Sequence, residues 1–143
     1  MAKIIHIDGT NLIVGRLASH VAKQALLGAQ VHIVNCEKVI VTGAPSAVKY
    51  HYYLRKRDLG TPQKGPHYSK LPDRFVRRII RGMLPHRQYR GKEAYHSIMC
   101  YIGIPANLAT QKFQSLPWAS TARLTTTKFQ TIGDLCFSLG WMK

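Results

Sequence analysis

The apolar positions of this 143-residue chain change period several times, and each change marks an element. Residues 3–8, KIIHID, are short and β-branched, and Gly9 follows them, which predicts a strand ending in a turn. From Asn11 the period becomes helical, with Val14, Leu17, Ala18, Val21, Ala22, Ala25 and Leu26 on one side and Gly28 as the closing residue. VHIVNC at 31–36 and VIVTG at 39–43 predict a second and a third strand, parted only by Glu37 and Lys38. Strand, helix and strand in close succession form a βαβ unit, so a parallel sheet is expected.

Ser46 is placed to cap a helix over 47–57 whose apolar side (Ala47, Tyr50, Leu54) is thin. Residues 59–72 hold two Gly and three Pro and predict an extended loop. Pro72 suits the first turn of the next helix, and Pro85 ends it. Phe75, Val76, Ile79, Ile80, Met83 and Leu84 fall on one side of its wheel, and Arg74, Arg77, Arg78 and Arg81 on the other. A short helix over 91–97 and a fourth strand at 97–103 follow, then an irregular stretch and a short extended piece at ARLTTT. Thr127 is placed to cap a last helix with Phe129, Ile132, Cys136 and Leu139 on one stripe, ending at Gly140. The alternation predicts a single α/β domain over 1–143.

Charge sharpens this picture. The chain carries 21 Lys and Arg against 6 Asp and Glu, a net charge of +15, yet it is 45% apolar and so has a core to build. Residues 49–92 hold thirteen of those cations and only Asp58 and Asp73 as acids. Four arginines on one helix face repel one another unless something anionic lies against them. Interleaved tyrosines, and guanidinium groups that bind phosphate bidentately, point to RNA. His67 and His86 lie in the same segment and can donate to phosphate or pack, and Gly15 is a candidate for close packing or for close RNA approach. A membrane-surface helix would show a similar moment, but Arg dominates the stripe and its apolar side has no Trp anchor.

Catalysis finds little support. DGTNLIVGR lacks the dinucleotide-binding spacing, and there is no phosphate-loop motif. Asp8 and Glu37 could meet near one edge of the sheet, but lone acids in so basic a chain are expected to be paired or solvated. Cys36, Cys100 and Cys136 each lie in an apolar run with no zinc spacing, and read as reduced thiols. No metal, cofactor, catalytic residue or small-molecule substrate is expected. No stretch approaches the ~18 apolar residues of a membrane span, so a cytoplasmic protein without a membrane partner is expected.

VGRLAS at 14–19, EKVIVTG at 37–43, LRKR at 54–57, RRIIRGMLPHRQYRG at 77–91 and GIP at 103–105 occur in this order, with KF…LGW at the end. Together they resemble the universal large-subunit ribosomal protein family L-thirteen, over residues 8–141. The GP pair at 65–66 and the HR…RG continuation are similar to its archaeal and eukaryotic branch. GAP at 43–45 departs from the GN of many relatives, and eukaryotic members usually continue into a basic extension where this chain stops at Lys143.

The resemblance implies a three-layer α/β/α fold with a four-stranded parallel sheet of order 3-2-1-4, beside a basic helix-loop region. It implies no catalysis. The partners would be large-subunit ribosomal RNA and neighbouring ribosomal proteins, in the cytoplasm, with nucleolar assembly in a eukaryote. Carried over by motif, the RNA contacts are Gly15, Arg16, Arg55, Lys56, Arg57, Arg77, Arg78, Arg81, His86, Arg87, Arg90 and Gly91, with Gly82 and Gly91 letting RNA come close; a plain turn or cap is the alternative at Gly91. The basic segment adds Lys49, Lys64, His67, Arg74 and Lys92. The competing readings are an RNA-binding regulator outside the ribosome and a small RNA-modifying enzyme.

Overall fold

The computed structural model describes residues 3–61 and 63–142. Strand β1 (Ile4–Asp8) leads through a turn into helix α1 (Val14–Leu26), and strand β2 (Gln30–Val34) returns parallel to β1. The helix begins later than the period suggests. Asn11 takes a left-handed conformation (φ 57°), and Leu12 and Ile13 bridge to Ser120 and Ile40 before the first helical turn. Gly28, at φ 87°, ends α1 as expected.

β2 also stops early. Asn35 is left-handed at φ 55°, and a 3-10 turn over Cys36–Lys38 swings the chain away. Strand β3 (Ile40–Thr42) therefore leaves the parallel sheet. It pairs antiparallel with β5 (Phe129–Thr131), Ile40 opposite Thr131 and Thr42 opposite Phe129.

Helices α2 (Pro45–Arg57), α3 (Pro72–Gly82) and α4 (Tyr89–His96) come between, followed by strand β4 (Ile98–Cys100). Helix α5 (Ile132–Ser138) closes the chain. Pro45, in the first turn of α2, starts that helix ahead of Ser46, whose side chain makes no cap. Thr131, not Thr127, caps α5 by accepting from the Asp134 N–H at 3.1 Å, because Phe129 is still in a strand.

The expected four-strand order 3-2-1-4 thus gives way to a three-stranded parallel sheet of order β1-β2-β4 and a separate two-stranded pair. β4 lies beside β2, and the free edge of β1 is met by Gln114, whose N–H donates to the His6 carbonyl at 2.7 Å.

Alternation sorts the faces of the sheet. Ile5, Val31 and Ile98 align across it, as do Ile7, Ile33 and Cys100. All but Cys100 are buried, in a core shared with Leu17, Val21, Phe75, Val76 and Ile80 of α1 and α3. On the other face His6, His32 and Met99 align. The two imidazoles stack at 5.3 Å, His32 stacks on Tyr101 at 5.9 Å, and Phe113 meets His6 edge-on. Helices α1, α3 and α4 touch the sheet, with α1 touching the other two. In place of the expected second helical layer, the far face carries these rings.

Candidate nucleic-acid interface

Helix α2 has no buried residue, so it needs something to hold it. Its half-buried Tyr52 ring lies edge-on to Phe75 of α3 at 5.1 Å and to Tyr68 of the intervening loop at 5.7 Å. This cluster ties α2, the loop and α3 together, and edge-to-face pairs of this kind add about 0.5–1.5 kcal/mol beyond burial. The basic segment is thereby a folded surface and not a tail.

The arginines are held by neutral groups. Arg78 lies over the Tyr68 ring at 4.5 Å and donates to the His67 carbonyl. Arg55 Nη1 donates to the Tyr68 hydroxyl at 3.3 Å, and Arg57 donates to the Tyr53 hydroxyl. Arg77 turns the other way. Its guanidinium lies 4.5 Å over the Tyr95 ring and donates to the Tyr95 carbonyl at 3.3 Å, while its Nε is buried without a partner. Arg16 Nη1 donates to the Trp118 carbonyl at 3.1 Å. Lys56 donates to the Leu139 carbonyl, where a cation suits the C-terminal end of α5. Burial, and then the neighbouring Lys70 charge, lower its pKa.

Asp8, Glu37 and Asp134 are engaged by neutral donors. Asp8 accepts from the Thr10 N–H and hydroxyl and from Asn35 Nδ2, between 2.8 and 3.0 Å. Burial pushes Asp8 up, but the Asn35 and Thr10 hydrogen bonds and the Lys38 charge outweigh it, leaving the pKa lowered. Glu37 accepts from the Gly103 N–H at 3.0 Å, and Asp134 from the Thr131 hydroxyl at 2.7 Å. Asp73 sits in the first turn of α3, one oxygen buried and unpartnered. Burial, and then the Asp73 charge, push the Cys136 thiol up to about 12. Among the described residues, no hydrogen bond joins an Arg or Lys to a carboxylate, and no group of three or more His, Cys, Asp and Glu is arranged to hold a metal. None of the helices there is long and apolar enough to cross a membrane.

The remaining expected site residues divide by exposure. Lys49, Lys64, His67, Arg74, His86, Arg87, Arg90 and Lys92 are exposed, and Arg81 is half-buried. Gly15 and Gly82 are exposed, and a Cβ on either would meet nothing within 4 Å, so both leave backbone open to a ligand. Gly91 is buried, and its Cβ would lie 2.0 Å from the Pro85 carbonyl oxygen, so it is a packing position closing the turn before α4.

Arg78, Arg81, Gly82 and His86 share one recess with Tyr52 and Tyr68. Arg90 lines a separate one with Gly28 and Glu93, and Arg16 stands beside Trp118 and His20. Tyr95 and Trp118 were not legible as partners, since both lie outside the basic segment and no spacing links them to Arg77 or Arg16.

The fold and this surface define a class: a small, strongly basic α/β protein in which Arg16, Arg55, Lys56, Arg57, Arg77 and Arg78 are ordered by neutral groups, with no Arg or Lys hydrogen-bonded to a carboxylate among the described residues. Residues 2–107 match the family described as Ribosomal protein L13. The large ribosomal subunit protein uL13 of Methanococcoides burtonii is 41% identical over 134 residues, 94% of this chain and 96% of that protein. Those of Methanopyrus kandleri and Caenorhabditis elegans are each 39% identical, covering 94% and 97% of this chain and 86% and 70% of theirs. The chain belongs to the ribosomal protein L13 family.

Proposed function

We propose that this chain is a structural constituent of the large ribosomal subunit, binding ribosomal RNA by phosphate neutralisation and shape recognition and acting without catalysis. Its relatives carry the large-subunit name over nearly its whole length. The observation that carries the mechanism is the pairing of Arg55, Arg57 and Arg78 with carbonyls, hydroxyls and rings, which leaves their charge for phosphate. The surface formed by α2, α3 and the turn at 85–91 is the RNA face, with Arg16 as a second contact. Neighbouring ribosomal proteins meet other faces, and the assembled particle works in the cytoplasm.

The test is incorporation. A tagged chain should co-sediment with the large subunit at physiological salt, and Arg74→Glu combined with Arg87→Glu should leave the protein in the free pool with its fold intact. Full incorporation of that double variant would remove the RNA face from this surface. If 6–10 phosphates are neutralised, affinity for the RNA falls about 10³–10⁵-fold between 50 and 200 mM salt on the duplex-DNA scale.

A further inference from the structure

Between α2 and α3 lies a recess of about 300 Å³ that packing has not filled. Its apolar wall is Tyr52, Tyr68, Phe75 and Ile79, and its polar members are Arg78, Arg81 and His86. That volume stands at the lower end of ligand pockets, about 300–1,000 Å³, and suits one flat heterocycle better than an extended ligand. The rings are fixed in place: Tyr52 is braced by Phe75 and Tyr68, and Tyr68 by the Arg55 hydrogen bond and the overlying Arg78.

The chemistry of the recess is of two kinds. Aromatic rings and the plane of the Arg78 guanidinium are surfaces on which a nucleobase stacks. Arg81 and the exposed His86 supply donors for the phosphate that must follow such a base. Gly82 also lines the recess, exposed and with empty space around it, so nothing from α3's end blocks entry. An apolar protein side chain could fill the apolar part, but it would bring no anion for Arg78 and Arg81, and among the described residues no carboxylate bonds to them.

We propose that this recess receives a single unstacked nucleobase of the bound RNA, set against the Tyr52 ring and the face of the Arg78 guanidinium turned away from Tyr68, with its phosphate on Arg81 and His86. The proposal rests on the ribosomal RNA reading above and adds to it a one-base pocket.

Native large subunits irradiated with short-wave ultraviolet light, digested and analysed by mass spectrometry should carry a mononucleotide adduct on Tyr52 or Tyr68. In particles assembled with Tyr68→Leu, base-specific chemical probing should show one nucleotide, protected in the unaltered particle, becoming roughly 10-fold more reactive, as expected when the ring that holds Arg78 in its stacking position is lost. If Tyr68→Leu is not incorporated, Gly82→Leu serves instead, since its side chain enters the mouth of the recess where the free protein has space. Adducts confined to other residues, with an unchanged probing pattern, would overturn the pocket and leave the ribosomal reading standing. A partner protein's side chain crosslinked into the recess would do the same. A protein that neither co-sediments with the subunit nor yields any RNA adduct would overturn both.

Discussion

Gly91 and Pro85 approach so closely that a Cβ on the glycine would lie 2.0 Å from the proline carbonyl oxygen. The neighbouring atom is backbone and cannot rotate aside. Gly91→Ala should therefore force the turn before α4 apart and cost about 1–3 kcal/mol, read as a lower urea midpoint. Gly82→Ala is the contrast: with nothing near the new methyl group, stability should stay level or rise by up to about 1 kcal/mol.

Arg77 and Arg81 share the polar side of α3 on a helical wheel but should separate by experiment. Arg77→Ala removes the stack on Tyr95 and the bond to its carbonyl, and should cost about 1–2 kcal/mol in urea unfolding. Arg81→Ala should change stability by less than about 0.5 kcal/mol while weakening RNA binding. If Arg81 holds a phosphate, the slope of log affinity against log salt drops by roughly 1 in that variant.

Ile80 is fully buried in the core, whereas Ile79 is half-buried in the wall of the recess. Ile80→Ala should cost about 2–5 kcal/mol, and Ile79→Ala clearly less, on the same unfolding curve.

Acid should weaken the fold in two stages. Burial, and then the nearby His6 charge, lower the His32 pKa below its ordinary 6.5. The unfolded chain thus takes up that proton first, so the stability His32 contributes is complete above pH 6.5 and is lost as pH falls through its lower folded value. His32→Gln should flatten that part of the profile. Asp8, lowered from 3.8, follows the same sign in a lower window, its contribution lost only as pH falls below 3.8. Urea midpoints measured from pH 8 to 3 separate the stages.

Periodicity located β1, α1, β2 and α3, because each carries its buried side on repeated positions along its length. It could not place β3. A short β-branched run reads alike whether its partner is parallel or antiparallel, and β5 is too brief at three residues to announce itself. The left-handed Asn35 that redirects the chain leaves no pattern either.

The candidate site was legible as charge and illegible as direction. Arg74 and Arg81 stand where the wheel puts them, but Arg77 is drawn aside by Tyr95 of another helix. Gly91 sits in a basic motif, and only the three-dimensional path of residues 85–91 reveals that it packs inward.

The tyrosines that hold Arg57 and Arg78 have an effect on association itself. An arginine free in water surrenders its rotamer freedom when it grips a ligand, and that loss subtracts from affinity. Here the restriction is imposed when the chain folds, so the encounter with a partner begins from side chains already aimed. Replacing Tyr53 or Tyr68 would then loosen the grip without removing a single positive charge.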